Sequence, residues 1–189
     1  MRYFLVLALA AFFSAVALTA GPTSSAHADP VDTALYGSGD TLVITDLGIN
    51  APVNVRNVSE DGTMGDPGGK DDVVRYDFPT WPGYGGYPGK GGTTVVAGHV
   101  DYHPNFQAVF WTLKQAYPGM KIYYYTGDNK MITYAVDWVS FVGGEDDVAQ
   151  YLVNTTSEAM VLISCEGSFD PVTRHYNNRT MVYATRVAS

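Results

Sequence analysis

Three residues of this sequence together have the chemistry for nucleophilic acyl transfer. Cys165 is the single cysteine of the 189-residue chain and closes the apolar run AMVLISC, His99 follows the run TTVVAG, and Arg179 precedes the run TMVYATRV. A cysteine nucleophile needs a base that takes its proton and an acid that protonates the leaving amine, and one histidine can do both. An arginine can stabilise the oxyanion that forms between these steps. The residue types therefore predict a cysteine-dependent acyl transfer, provided that the fold brings them together.

The single cysteine permits two interpretations. Exported proteins commonly pair their cysteines in disulfides, and a lone thiol outside the cell is open to oxidation, so Cys165 invites a functional interpretation. A free cysteine is also a common buried core residue that behaves as a small hydrophobe. The cysteine count alone leaves both interpretations open.

Other residues compete for the roles of base and cation. His175 follows Cys165 by ten residues and is the alternative base, and Arg174 is the alternative cation. His103 lies in a polar loop, where a surface position is the simpler interpretation. His27 belongs to the N-terminal leader and is not a candidate.

Patterns that could bind a metal are weak. His99, Asp101 and His103 are possible zinc ligands, but alternating spacing in a proline-containing loop is weak evidence for a zinc site. The acidic run at residues 145–147 has no calcium-ligand spacing and is typical of a solvated face. We therefore predict no metal and no cofactor.

The elements that hold these residues are predicted to be short strands joined by turns. Glycine, proline and tyrosine are plentiful, which favours strands and turns over helices. Strands are expected at residues 41–45, 52–58, 73–81, 93–97, 159–164 and 180–187, with a hairpin at 121–142. Short helices are expected at 105–119, with Asn105 as N-cap, and at 145–154. The pattern predicts an all-β fold with short helices, either a closed barrel or a sandwich.

The strand ends bear directly on the chemistry. His99 and Cys165 both lie at the C-terminal ends of predicted strands, and Arg179 lies at the start of the last one. If the first two strands are neighbours, both side chains emerge at the same rim, which Arg179 can reach.

Composition and charge exclude some classes of function. Hydrophobic residues make up 46% of the chain and charged residues 16%, which is a globular composition for one domain with a core. The formal net charge is -8, and lysine and arginine do not cluster. Nucleic-acid binding is therefore not expected, because neutralising phosphates requires a basic patch.

The N-terminus predicts export. An apolar run covers residues 3–20 after Arg2, and the sequence Ala26-His27-Ala28 fits cleavage by a signal peptidase. The alternative is an uncleaved signal anchor, although the run is short for a membrane span. We therefore divide the chain into a signal peptide or N-terminal membrane anchor (1–28), a flexible lead-in (29–40) and one domain (41–189) that works outside the cytoplasmic membrane.

Three segments resemble the sortases, the cysteine transpeptidases of Gram-positive cell surfaces. TTVVAGHVDYHPNF resembles their histidine-bearing strand end, VLISCEG their T-L-x-T-C strand end, and NRTMVYATRV their arginine-bearing last strand. The separation of 66 positions from His99 to Cys165 fits the family's layout, and the resemblance covers residues 41–187. The segments GHVD and CEGSFDP resemble the actinobacterial class E or class F branch. By resemblance, the fold is a closed eight-stranded sortase-type β-barrel.

The resemblance implies a role for each candidate residue. Cys165 would be the nucleophile, His99 the general acid and base, and Arg179 the residue that stabilises the oxyanion and positions the peptide. The residues expected beside the substrate are Ser164, Ala97 and Gly98. Of these, Ser164 departs from the threonine that usually precedes the cysteine.

Two acidic residues near the candidate site complicate the comparison. Glu166 adjoins the nucleophile and would oppose thiolate formation if it pointed toward the thiol. Asp101 is near His99 in sequence, but a residue two positions later need not point at the ring, so we do not favour it as the orienting partner.

The resemblance also implies a reaction and its partners. The protein would cleave an LPxTG-like sorting signal between Thr and Gly, form a thioester, and transfer the acyl group to an amine of a peptidoglycan precursor or a pilin. It would work at the extracellular face of the cytoplasmic membrane or as a secreted, cell-wall-associated protein.

Two alternative functions remain. The first is a secreted, catalytically inactive binding module on a sortase-like barrel, which would not need cysteine, histidine and arginine together. The second is another Cys/His enzyme of the cell wall, such as an L,D-transpeptidase, whose S-H-G-C pattern differs from ISCEGSF here.

Overall fold

The computed structural model describes residues 36–65, 67–102, 106–144, 146–170 and 175–188. The predicted leader at residues 1–28 and most of the lead-in lie outside this part of the chain, as do His103, Asn105 and Arg174. Within the described residues, no helix is both long and apolar enough to cross a bilayer.

Eight strands close into one barrel, which confirms the predicted architecture. In barrel order they are β1 (Tyr36–Ile44), β2 (Ile49–Asn57), β3 (Val73–Asp77), β4 (Thr93–Gly98), β9 (Ala159–Asp170), β10 (His175–Arg186), β8 (Met131–Gly143) and β7 (Lys121–Tyr125). A separate short hairpin pairs β5 (Asp101–Tyr102) with β6 (Phe106–Gln107). The helical elements are α1 (Ala149–Leu152) and the 3-10 turns Thr45–Leu47 and Leu113–Gln115.

Alternation along the strands separates two apolar clusters. Successive side chains of a strand point to opposite faces of the sheet. On β9, Met160 and Leu162 pack inside the barrel, whereas Val161 and Ile163 belong to a second cluster on the outer face. The continuous apolar run of β9 is therefore buried on both faces, as its lack of polar alternation predicts.

The outer cluster is covered by the segment that connects β8 to β9. In this segment Val148 and Leu152 are fully buried, and the Tyr151 ring packs edge-on against Trp138 with 5.4 Å between ring centroids. Burying a valine or leucine side chain stabilises the folded state by about 1.5–3 kcal/mol. These contacts explain why the predicted short helix forms as α1, and they hold the β8–β9 segment against the outer face of the barrel.

The predicted helix at residues 105–119 is wrong. Its described part contains β6, a turn and the 3-10 turn Leu113–Gln115 instead. The apolar side chains Phe110 and Leu113 do enter the barrel core, but the first amides of the segment bond to distant carbonyls, and the later ones bond to the carbonyl three residues earlier, as in short turns. The amides of Ala108, Val109 and Phe110 donate to the carbonyl oxygens of Val100, Lys70 and His99 at 3.2, 2.7 and 2.9 Å. Tertiary pairing thus replaces the helix.

The predicted lead-in is also too long at its C-terminal end. β1 begins at Tyr36, so residues 36–40 already belong to the barrel. Asp40 is almost fully buried there, and its carboxylate accepts hydrogen bonds from the Tyr124 hydroxyl at 2.6 Å and from the Gly127 amide at 2.7 Å. This first part of β1 was not predicted as a strand because its sequence is polar and contains glycine. The residues that stabilise it, such as Tyr124 and Gly127, lie far along the chain.

Gly98 at the end of β4 allows Phe110 to pack directly beneath the backbone that leads to His99. A methyl group at this position would lie 2.8 Å from the Phe110 ring and 2.9 Å from Val109. We therefore expect Gly98→Ala to lower the free energy of unfolding by about 1–3 kcal/mol through overpacking, as measured by urea denaturation. The matched control is Gly37→Ala, whose methyl group would meet no atom within 4 Å. Equal denaturation midpoints for the two variants would contradict this explanation.

Candidate active site

Strand register brings the three candidate residues to one level of the barrel. In the antiparallel ladder of β9 and β10, Arg179 is paired directly with Cys165. In the parallel ladder of β4 and β9, Ala97 is paired with Ile163. Cys165 lies two residues beyond Ile163 on β9, and His99 lies two residues beyond Ala97, directly after the end of β4, so continuing this register places His99 at the level of Cys165. The condition for a shared rim is thus met, because β4, which precedes the histidine, is paired with β9, which carries the cysteine.

Two of these residues share one face of the sheet. Ile163, Ala97 and Met181 belong to the outer cluster, and each lies two positions from one of the candidates. Because strand side chains alternate with a period of two, Cys165 and Arg179 are directed to that outer face. His99 directly follows the end of β4, the neighbour of β9. Cys165 is partly buried, and Arg179 is 7% exposed. The thiol and the guanidinium therefore line one side of the barrel rim.

The His99 ring is oriented by a backbone carbonyl. Its N–H donates a hydrogen bond to the carbonyl oxygen of Pro67, a buried residue of the loop between β2 and β3. Burial lowers the pKa of His99 below its ordinary value, whereas the Pro67 bond and the Asp101 charge act to raise it. The balance favours a neutral imidazole at pH 7, which can accept a proton. Sequence reasoning missed Pro67, because a main-chain acceptor leaves no residue-specific signal.

Asp101 contributes charge to this environment and is itself held by a tyrosine. The Tyr176 hydroxyl, on β10, donates a hydrogen bond to the Asp101 carboxylate. Burial and this bond raise the pKa of Tyr176, as do the charges of Cys165 and Glu166. Tyr176 therefore lies between the acid beside His99 and the strand that carries Cys165. Tyr176 was absent from the sequence-based set of site candidates, because its contact with Asp101 is created only by the fold.

Glu166 lies away from the thiol. By alternation it faces the interior side of the rim with Ser164, opposite to Cys165. One carboxylate oxygen lies 3.5 Å from the Lys114 ammonium, and the other accepts a weak 3.4 Å hydrogen bond from the Thr180 hydroxyl. The lysine partially neutralises the acid, so the condition under which Glu166 would oppose thiolate formation is not met.

The three residues predicted to contact substrate are closely packed. Ser164 is 2% exposed on the interior side of β9, and Ala97 is 1% exposed within the outer cluster. Gly98 is packed against Phe110. Their contact with substrate remains a prediction, and for these buried side chains it would have to involve mainly backbone atoms.

The remaining candidates are placed only in part. The backbone of His175 begins β10 and pairs with Asp170, five residues beyond Cys165 on β9, and its side chain lies outside the described residues. In the acidic run, Asp146 and Asp147 accept hydrogen bonds from the amides of Gly143 and Ala149 at 2.6 and 2.9 Å. No group of three or more metal-binding side chains occurs among the described residues.

A pocket of about 480 Å³ lies at the opposite end of the barrel from Cys165. Asp40, Lys130 and Arg186 contribute to its wall. Two of its cationic side chains are already paired, because Lys130 contacts Asp128 at 2.6 Å and Arg186 contacts Glu158 at 2.9 Å. We therefore favour the barrel rim over this pocket as the candidate reactive site.

Comparisons with known proteins agree with this geometry. The family model described as "Sortase domain" matches residues 42–187. Sortase A from Corynebacterium diphtheriae has a similar structure, with a TM-score of 0.58 and 18% identity over 90% of this chain and 72% of that one. The Sortase D5 transpeptidase of Clostridium perfringens gives 0.56 and 15%, over 80% and 79% of the two chains. Sortase C-1 from Actinomyces oris gives 0.55 and 19%, over 79% and 73%. A sequence comparison with curated proteins finds no match.

The protonation of His99 can be tested directly. In the folded protein we expect its NMR titration midpoint below its ordinary value of 6.5, because burial disfavours the imidazolium. The unfolded chain then binds the proton more readily, so the free energy of unfolding should decrease as the pH falls from about 7 to 5. His99→Gln identifies the resonance, and the same protein in urea is the control. A midpoint at or above the urea value would contradict the effect of burial.

Proposed function

Because the chain belongs to the sortase family of cysteine transpeptidases, we propose that it cleaves an LPxTG-like sorting signal between Thr and Gly and transfers the acyl group to an amine of the cell wall or a pilin. The observation that supports this most strongly is that Arg179 is paired with Cys165 in the β9–β10 ladder and that His99 directly follows β4, the other neighbour of β9. A binding module without activity would not require this convergence. The reaction needs no metal and no cofactor.

The first half-reaction forms a thioester. His99 takes the proton of the Cys165 thiol, and the thiolate attacks the carbonyl carbon of the scissile Thr–Gly bond. Arg179 stabilises the resulting oxyanion through its guanidinium. When the intermediate collapses, the C–N bond breaks, and His99 returns its proton to the leaving glycine amine. The acyl group then remains on the sulfur of Cys165.

The second half-reaction transfers the acyl group. An acceptor amine attacks the thioester carbonyl, and His99 accepts the proton that this nitrogen loses. Arg179 stabilises the second oxyanion in the same position. Collapse breaks the C–S bond, and the proton on His99 returns to the Cys165 thiolate. The enzyme is then back in its starting state, with one new amide bond formed.

The environment of His99 supports this dual role. Its lowered pKa keeps the ring neutral at pH 7, so that it can act as a base. The Pro67 carbonyl and the Asp101 charge stabilise the imidazolium after proton transfer. Burial thus favours the neutral ring, which acts as the base, whereas the Pro67 and Asp101 interactions favour the cationic ring, which acts as the acid. Neither of these two interactions is a carboxylate bonded directly to the ring.

Location, class and acceptor also belong to this proposal. The apolar N-terminal run supports export as a signal peptide or membrane anchor, with action at the extracellular face of the membrane or in the cell wall. The GHVD and CEGSFDP segments support the class E or F branch. The acceptor is an amine of a peptidoglycan precursor or of a pilin.

Mass spectrometry with an LPxTG peptide and a small amine tests the reaction. The wild-type protein should form a thioester adduct and an amine-ligated product, and Cys165→Ala should form neither. Arg179→Lys should lower kcat by about 100-fold, because it removes the planar guanidinium at the oxyanion. Arg186→Lys is the matched control, since Arg186 pairs with Glu158 at the opposite end of the barrel.

Two results would contradict the proposal. One is product formation by Cys165→Ala at the wild-type rate. The other is intact peptide across a panel of sorting motifs together with a Cys165 thiol that is inert to alkylation in the native state. The second result would favour the inactive binding module.

A further inference from the structure

The hydrogen bond from Tyr176 to Asp101 connects two separate parts of the candidate site. The two residues are 75 positions apart in the sequence. Asp101 belongs to the β5–β6 hairpin that follows His99, and Tyr176 belongs to β10, which carries Arg179 and pairs with the strand of Cys165. The bond thus joins the base-bearing hairpin to the nucleophile-bearing ladder.

On the hairpin side, Asp101 is coupled to His99 through the backbone. The Phe110 amide donates to the His99 carbonyl at 2.9 Å, and the Ala108 amide donates to the Val100 carbonyl at 3.2 Å. Asp101 is then paired with Gln107. Consecutive hydrogen bonds on one short hairpin leave little independent freedom between Asp101 and His99, so a restraint on the former restrains the latter.

On the strand side, Tyr176 has a closely confined backbone. It is paired with Phe169 on β9. The Gly144 amide donates to the carbonyl of Asn177 at 2.8 Å, and a methyl group on Gly144 would lie 2.8 Å from the Tyr176 carbonyl oxygen. The end of β8 thus packs against this part of β10 and restricts the backbone that carries the Tyr176 side chain.

We propose that Tyr176 is a positioning residue of the acyl transfer, which holds the His99 hairpin against the β9–β10 ladder through its hydrogen bond to Asp101. The inference rests on the proposed function and deepens it. A proton transfer between His99 and Cys165 requires the two groups at hydrogen-bond distance, and small displacements of a reacting group are costly in rate. Tyr176 acts through Asp101 and does not itself react.

The charges around this hydrogen bond are arranged to preserve it. His99 lies on the same hairpin as Asp101, and Cys165 and Glu166 lie on β9, with Lys114 at 3.5 Å from Glu166. The surrounding negative charge and burial raise the pKa of Tyr176, so the hydroxyl remains protonated and able to donate at any working pH. The Asp101 charge in turn supports the imidazolium form of His99.

A double-mutant cycle on this pair tests the inference. Tyr176→Phe and Asp101→Ala should each lower kcat by about 10-fold with little change in KM, and the double variant should be no slower than either, because both remove one positioning bond. Asp101→Asn keeps an acceptor oxygen for Tyr176 and should restore most of kcat. It also removes the charge, so the acid limb of its pH–rate profile should move to lower pH.

Tyr117→Phe is the matched control, because the Tyr117 hydroxyl donates a similar bond to Asp46 at 2.7 Å on an exposed part of the protein. It should leave kcat and the pH profile unchanged. Additive losses in the cycle would overturn the inference. So would a Tyr176→Phe variant that melts at a lower temperature but keeps the wild-type kcat.

Alkylation of Cys165 by iodoacetamide across a pH series separates this inference from the proposed function. In one outcome, the wild-type protein processes no peptide while its thiol is still alkylated in the native state. In that case the alkylation rates of the Tyr176→Phe, Asp101→Ala and double variants are compared, and we expect their effects on this rate to be non-additive. Additive effects in a reactive wild type overturn the inference alone. A wild type that is inert in both assays overturns the proposed function and the inference together.

Discussion

The position of β9 between β4 and β10 is the constraint on which the candidate site depends. β9 pairs in parallel with β4 and antiparallel with β10, and these two ladders set Cys165 level with His99 and Arg179. A slip of one residue in either ladder would exchange the two faces of a strand, so that the side chains that fill the barrel interior would point outward and the reverse. The two clusters on the faces of β9 exclude such a slip, because both faces of the strand are already filled. Core packing therefore also aligns the reactive groups.

The far end of the barrel provides a second fixed point. Glu158, just before β9, accepts hydrogen bonds from the amides of Gly89 and Gly91, at 2.7 and 3.2 Å, and from the Tyr134 hydroxyl at 2.6 Å. Its carboxylate also pairs with Arg186 at 2.9 Å. One side chain thus links the entrance of β9 to the glycine-rich segment that enters β4 and to the end of β10. The three strands that carry the site are aligned at one end by this carboxylate and meet at the other end around the thiol.

At the rim, the same contacts that orient the His99 ring also set its pKa. The loop before β3 supplies the Pro67 carbonyl, the hairpin after β4 supplies Asp101, and both favour the cationic form of His99, whereas burial opposes it. The orientation of the ring and its proton affinity are thus set by elements that are far apart in sequence. This arrangement suits a histidine that takes up a proton and releases it again, as the proposed reaction requires.

The amino-acid sequence by itself determined most of the barrel strands and an all-β fold, because apolar runs bounded by turns are local patterns. These runs predicted β4, β9 and the β7–β8 hairpin, whereas the closed barrel and the roles of His99, Cys165 and Arg179 were implied by the resemblance to sortases. The strand ends placed His99 and Cys165 at one rim on the condition that their strands are neighbours. The tertiary structure decided the features whose partners are distant. The predicted helix gave way to a hairpin because the amides of Ala108 and Phe110 found acceptors on Val100 and His99. Only the tertiary structure shows that Pro67 and Tyr176 belong to the candidate site. Pro67 contributes a backbone carbonyl, which any residue type could supply. The Tyr176 hydroxyl contributes through its bond to the Asp101 carboxylate, which the fold places beside it.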